Sequence, residues 1–284
     1  MRAAGRVAGD ARGFVSLVGA GPGDPELITL RGWRALQSAD VVVYDALVEP
    51  ALLREVSAPL IDAGKRCGRH GMSQEAICAL LVELALAGKR VVRLKGGDPN
   101  VLGRVGEEAL ALGEAGVRFE IVPGVTSATA VPSAAGIPVT HRGLADSFVV
   151  LTAHRQGEHA TLSIPTYDPR TTVVLLMARG TVAAWREQLL RRGYPEDLPL
   201  AVISAGCTPR QRVVETTVAG VPEAMARASL DAPVLAIAGW VVTLRAELAS
   251  GVADRAPAFE CPAMEVGEGT YAVAAPLDGA ELAT

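Results

Sequence analysis

At 284 residues, 50% of them hydrophobic and 4% aromatic, the chain suits one large α/β domain or two smaller ones, and two lobes are expected. The formal charge of −4 excludes a global basic field for nucleic acid or an anionic membrane, so an anionic ligand must meet a local basic pocket. No run approaches the ~20 apolar residues of a membrane span, and Cys67, Cys78, Cys207 and Cys261 show no CxxC spacing, which predicts a cytoplasmic protein with reduced thiols.

The first residues, MRAAGRVAGDARG, lack the apolar centre of a signal peptide and read as a disordered lead-in over 1–13. FVSLVG (Phe14 to Gly19) then predicts a buried strand, PELITLRGWRALQSA a helix, and DVVVYD (Asp40 to Asp45) a second strand. A helix follows from about Ser73 to Ala87, opened by a Ser-x-Glu suited to an N-cap. RVVRLK predicts a strand, Gly106 to Ala115 a helix and RFEIVPG a strand. This alternation implies a mainly parallel sheet.

Residues 127–147, SATAVPSAAGIPVTHRGLADS, are small and proline-broken, and a lobe boundary is placed here, with lobes of 14–140 and 141–247. Beyond it SFVVLTAH, TTVVLLMA, a helix through AAWREQLLRRG, LAVISAG, RVVETTV and APVLAIAGWVVTLRAEL form a second, more mixed α/β unit. From 248 to 284 the residues are Ala, Gly, Pro and acids, six acids against one arginine, the composition of a flexible tail.

Two glycine-rich segments leave predicted strands. In GAGPGDP, Gly19 and Gly21 fit a dinucleotide G-x-G-x-x-G, but Asp24 occupies the last glycine position and Pro22 removes an amide. The same glycines also suit a plain tight turn. KGGDP is a second such turn at another strand end, where open α/β sheets bind ligands, so the two turns are expected to line one crevice. Glycines there admit a flat ligand to the backbone, and Asp98 suits a ribose hydroxyl or an ammonium. No GKS or GKT pattern supports triphosphate hydrolysis.

Taken in order, GAGPGDPELIT, VVVYDALV, GKRCGRH, RLKGGDPNVLGRVGEE, PGVTS, AGIPVTHRGLA and TPRQRVV resemble the uroporphyrinogen-III C-methyltransferases of the tetrapyrrole methylase superfamily, over roughly Val15 to Arg245. The resemblance implies an α/β tetrapyrrole methylase fold, two lobes with S-adenosylmethionine in the cleft between them, usually as a homodimer. By similarity Pro22, Gly96, Gly97, Asp98, Val101, Thr126, Ser127 and Met177 match cofactor positions, with Gly206 and Val234 in the second lobe. Without the resemblance Met177 would read as core packing.

The family's substrate carries eight carboxylates, which calls for several cations. Lys65, Arg66, Arg69, Lys95, Arg104, Arg142 and Arg155 supply them if they converge; Arg69, Lys95, His141 and Arg142 are the expected substrate contacts. Arg104 in GRVGEE is the expected catalytic group, oriented by Glu107. An arginine stays charged at neutral pH, so water or Asp45 would take the proton lost from the macrocycle. His141 suits either proton transfer or a structural hydrogen bond. His154 and His159 miss the spacing of an HExxH helix, and no metal is expected.

Ala46, Asn100, Leu102 and Val105 depart from the family's pattern on the substrate side: a cation and two aromatics are replaced. The implied reaction is methylation of uroporphyrinogen III at two ring carbons, giving precorrin-2 for sirohaem or cobalamin, with later sirohaem steps left to other proteins. A different tetrapyrrole acceptor, or a non-catalytic S-adenosylmethionine-binding protein, are the alternatives.

Overall fold

A computed structural model of the chain describes residues 13–64, 71–153 and 162–248. The expected lead-in and acidic tail, apart from Gly13 and Leu248, lie outside them, as do Lys65, Arg66, Cys67, Arg69, His154, Arg155, His159 and Cys261. Among the described residues no helix is long and apolar enough to cross a membrane.

The first half forms a five-stranded sheet, ordered β3-β2-β4-β1-β5, from β1 (Phe14–Gly19), β2 (Val41–Tyr44), β3 (Leu60–Asp62), β4 (Arg90–Lys95) and β5 (Arg118–Val122). All its pairings are parallel, so its strands end on one edge. Helices α1 (Leu30–Gln37) and α2 (Pro50–Arg54) cover one face, where Leu36 and Leu52 meet Val18, Val42 and Leu94. Helices α3 (Gln74–Leu86) and α4 (Val105–Glu114) cover the other, where Ile77, Leu81 and Leu112 meet Val15, Leu17, Val43 and Val91. Burial on both faces explains why these strands read as continuous apolar runs.

The predicted strands and the α3 and α4 helices appear within a residue or two of their expected bounds. The expected helix from Pro25 is divided, however. Asp24 accepts from the Glu26 amide at 2.9 Å and closes a 3-10 turn over Pro25–Leu27. Thr29 then takes the Gly32 amide at 3.1 Å and starts α1 afresh, since a hydroxyl at the N-cap satisfies an orphan amide. The short α2 and the three-residue edge strand β3 were too brief to leave a periodic signal.

The second sheet, ordered β6-β7-β10-β8-β9, is mixed, as the sequence suggested. It comprises β6 (Ser147–Thr152), β7 (Thr171–Leu176), β8 (Pro199–Ser204), β9 (Arg212–Thr217) and β10 (Val234–Ala238). Strands β6 and β7 run parallel, and β10 runs antiparallel to both β7 and β8. Helices α6 (Val182–Arg191) and α7 (Val221–Ala228) pack one face around Trp185, Leu189 and Val221.

The proline-broken segment 127–147 contains helix α5 (Ser127–Ala134), with Pro132 inside it. Although α5 follows β5, it packs Ala128 and Val131 against Val174, Ala201, Ile203, Leu235 and Ile237 of the second sheet. One short helix thus ties the strand ends of the first sheet to the body of the second.

Candidate functional site

The turns after β1, β4 and β5 meet at three glycines. A Cβ on Gly124 would stand 2.3 Å from the Gly97 carbonyl oxygen and 2.8 Å from the Gly19 Cα, and one on Gly19 would stand 2.6 Å from the Gly124 Cα. No side chain fits there. The Gly21 and Gly97 amides donate to each other's carbonyls at 3.2 and 2.7 Å, so GAGPGDP and KGGDP, expected to share a crevice, are joined by a two-residue bridge.

Asp98 fastens this junction. Its Oδ2 accepts from the Gly124 amide at 3.0 Å, and its Oδ1 accepts from the Asn100 amide at 2.7 Å and the Asn100 Nδ2 at 3.0 Å. A carboxylate expected to face a ligand thus first holds two protein loops. Val101 donates its amide to the Asp98 carbonyl at 3.1 Å, closing the turn. Thr126 caps α5 by accepting from Ala128 at 3.3 Å, and Ser127 lies next to Gly97, 3.4 Å from where its Cβ would be.

The second sheet reaches the junction through the turn after β8. Gly23, beside the half-buried Pro22, lies so close to Thr208, Gly206 and Cys207 that a Cβ would be 2.8 to 3.2 Å from them. Gly206 is pressed against Val131 of α5, where a Cβ would meet Cγ1 at 2.3 Å. Behind this turn, Ala205 donates to the Pro233 carbonyl and Ala178 to the Val234 carbonyl, both at 3.0 Å. Val234 itself is buried in the core of the second sheet, so its side chain has a packing role there.

Met177, which composition would assign to the core, lies past the end of β7 with φ 59° and 47% exposed. Leu102, Arg104, Ala205 and Cys207 share this left-handed backbone, which side chains other than glycine adopt only under constraint and which gathers at functional loops. Burial, with the charge of Asp24 adding to it, pushes the Cys207 thiol up to about 11.

Arg104, at the start of α4, donates from Nε and Nη2 to the two Glu107 oxygens at 2.8 and 2.7 Å. This fork is the expected orienting contact, and it leaves the pair half-exposed. The shared hydrogen bonds raise the Arg104 guanidinium above its ordinary value and lower the Glu107 carboxyl. His141 and Arg142 stand exposed on a turn in which His141 and Ala145 exchange backbone hydrogen bonds at 2.9 Å. Among the described residues, no hydrogen bond or ion pair ties either side chain to the rest of the site.

Lys95 requires a correction. Rather than facing a substrate it is 3% exposed, with Nζ on Glu108 Oε1 at 2.8 Å, because alternation along β4 turns it under α4. Glu108 also accepts from Arg93 Nε at 3.0 Å, and Arg93 in turn donates to Asp45. Arg69 lies outside the described residues. Sequence reasoning missed Arg93, Glu108, Gly124, Ala205 and Cys207. The one available signal was the alternation of charges in RVVRLK, which places Arg93 and Lys95 on the same covered face as Val91. No group of three side chains able to hold a metal ion occurs among the described residues.

Residues 15–222 match the tetrapyrrole (corrin/porphyrin) methylases. The chain is 44% identical over 251 residues to a uroporphyrinogen-III C-methyltransferase from Paracoccus denitrificans, covering 86% of this chain and 87% of that protein. It is 47% identical over 241 residues to a siroheme synthase from Nitrosospira multiformis, covering 84% of this chain and 51% of that protein. The chain spans about half the length of the siroheme synthases it matches. A crystal structure of uroporphyrin-III C-methyltransferase from Thermus thermophilus, complexed with S-adenyl homocysteine, superposes with a TM-score of 0.71 at 40% identity, covering 82% of this chain and all of that one.

Proposed function

Since the chain belongs to the tetrapyrrole (corrin/porphyrin) methylases, we propose that it transfers methyl groups from S-adenosylmethionine to two ring carbons of uroporphyrinogen III, giving precorrin-2. The observation that carries this reading is the junction of Gly19, Gly97 and Gly124, pressed by Gly23 against the turn at Gly206. It brings the motif-bearing turns of both sheets to one place, packed backbone against backbone. Pro22, Gly96, Gly97, Asp98, Val101, Thr126, Ser127, Met177, Gly206 and Val234 would hold the cofactor, Val234 through its backbone and by supporting Ala178. When bound, the cofactor supplies a sulfonium methyl to an electron-rich ring carbon, a displacement that needs no metal.

The protein's part is chiefly proximity and orientation, which can lower a barrier by roughly 7 to 11 kcal/mol. Arg104, held as a fork by Glu107, binds and polarises rather than accepts a proton, because a guanidinium stays charged. Arg142, His141 and Arg69 bind the carboxylate periphery of the substrate. Asp45, 29% exposed at the end of β2, takes the proton that the macrocycle loses. We assign the lobes to 14–140 and 141–247, with α5 of the first segment packed on the sheet of the second, a homodimer as the working assembly and the cytoplasm as its place.

The four departures from the family pattern have different surroundings. Val105, the first residue of α4, is buried in the core, whereas Asn100 is bonded to Asp98 and Leu102 is 45% exposed. The fourth, Ala46, is half-buried just past β2, and the cation missing there favours, as a second reading, an acceptor with fewer carboxylates. Anaerobic incubation with uroporphyrinogen III and coproporphyrinogen III in parallel, with added methyl groups followed by mass, separates the two. Two additions to uroporphyrinogen III and few to the tetracarboxylate are expected. The reverse preference supports the second reading, and methylation of neither overturns both.

A further inference from the structure

Beneath the site, between strands β2 and β4 and helices α3 and α4, three fully buried charged side chains form a chain that surfaces at Asp45. Arg93 is 1% exposed, Lys95 3% and Glu108 not at all. Strand alternation turns Arg93 and Lys95 to the same face of β4, and pairing of Val43 with Arg93 places Asp45, two residues further along, on that face too. Glu108 Oε1 accepts from Lys95 Nζ at 2.8 Å, Arg93 Nε at 3.0 Å and Gln74 Nε2 at 3.3 Å. The far end of Arg93 donates to the Val43 carbonyl at 3.5 Å and to Asp45 Oδ1.

Such an arrangement is a poor way to gain stability. Burying ions is expensive, and apolar residues of similar volume often do as well or better. Here the cost is visible: Glu108 Oε2 is buried with no hydrogen-bond partner among the described residues. Two cations against one anion also leave the buried part with one net positive charge, which the Asp45 carboxylate balances. Arg93 touches both acids because its planar fork donates in two directions.

We propose that Lys95, Glu108 and Arg93 are positioning residues that fix the Asp45 carboxylate for proton acceptance. Arg93 ties Oδ1 and leaves Oδ2 for the substrate. This rests on the methyl-transfer reading above. The ring carbon's electron pair forms the bond to the methyl group, the sulfonium becomes a thioether, and the macrocycle acquires the positive charge. Loss of a proton from carbon to Oδ2 returns the C–H electron pair to the macrocycle and neutralises it.

A double-mutant cycle of Arg93→Lys with Asp45→Asn tests the proposal, with uroporphyrinogen III as acceptor. Lysine keeps the charge but cannot span Glu108 and Asp45. In the otherwise native protein kcat is expected to fall about ten- to a hundredfold, with KM and S-adenosylhomocysteine affinity within about twofold of native. In the Asp45→Asn background, where residual turnover uses water, the same substitution should cost little further, since residues that act as one unit are not additive. Should Arg93→Lys fail to fold, Glu108→Gln, which keeps the volume, carries the same cycle. Equal losses in both backgrounds, or a loss shared by KM and cofactor affinity, would overturn the relay while leaving the methyltransferase. A native protein that methylates no porphyrinogen removes both.

Discussion

All the buried charges among the described residues lie under the rim of the first sheet, in Arg93, Lys95 and Glu108, whereas the buried polar side chains of the second sheet are the neutral Thr172 and Ser204. The rims differ in the same sense. The first presents Asp45, Asp98, Arg104 and Glu107, side chains aimed and paired by hydrogen bonds. The second presents Met177, Ala205 and Cys207 in left-handed backbone, its turns packed by glycine and small residues. On the proposed function the contrast has a reason: charge, costly to bury, is held where a proton or a carboxylate would be handled, and shape suffices where the cofactor would be enclosed.

The largest expected effect tests whether the two rims depend on the glycine junction. In Gly124→Ala the new methyl group would meet only backbone, at 2.3 Å from Gly97 and 2.8 Å from Gly19, and backbone cannot swing aside. Overpacking of this kind costs about 1 to 3 kcal/mol, sometimes more. Calorimetric titration should therefore show S-adenosylhomocysteine affinity lowered about tenfold to beyond a hundredfold. Gly113→Ala is the control, since nothing lies within 4 Å of its Cβ position on the exposed face of α4, and it should add roughly 0.5 to 1 kcal/mol of stability. Near-native affinity in Gly124→Ala would mean that the junction does not shape the cofactor site.

A crossed pair of variants then separates holding from handling within the first rim. Asp98→Ala leaves the Gly124 and Asn100 amides without their acceptor, each worth about 1 to 3 kcal/mol if it stays buried. It should weaken cofactor binding about ten- to a hundredfold even though the carboxylate first serves the protein. Arg104→Lys should leave that affinity alone and lower kcat by a similar factor, because lysine cannot form the fork with Glu107. Isothermal titration and single-turnover kinetics on both proteins provide the check. Matching losses in both measurements for both variants would erase the distinction.

How much of this was legible depends on how local the cause was. The strands, the caps at Ser73 and the placing of GAGPGDP beside KGGDP follow from alternation, hydroxyl capping and turn composition, all of which act within a few residues. The family resemblance supplied Met177, which bottom-up reading would have buried. Lys95 was misplaced because a lysine near a glycine-rich turn looks like a ligand cation until α4 is known to cover it. Glu108 is adjacent in sequence to Glu107 yet fully buried while its neighbour is exposed, a difference set by which face of α4 meets the sheet. Helix α5 leaves little trace in the sequence because Pro132 and the small residues around it mask a helix whose stability comes from packing on the other sheet.

The smallest effect bears on the second rim, where Met177 combines a large apolar side chain, 47% exposure and φ 59°. Left-handed backbone costs a non-glycine residue about 1 to 2 kcal/mol, while glycine adds about 0.4 to 1 kcal/mol of chain entropy to the unfolded state. Met177→Gly should therefore leave stability unchanged or raise it by up to about 1 kcal/mol, a shift of roughly 2 to 4 °C in Tm for a protein of this size. Cofactor affinity should move the other way, falling severalfold as the side chain's apolar contact is lost. Opposite signs would show that the strained methionine is kept for a ligand, and that the second rim, though it offers mainly backbone, contributes this one side chain. A stability loss of about 2 to 5 kcal/mol, the range for truncating a core methionine, would return Met177 to the core and leave the second rim without a side chain of its own.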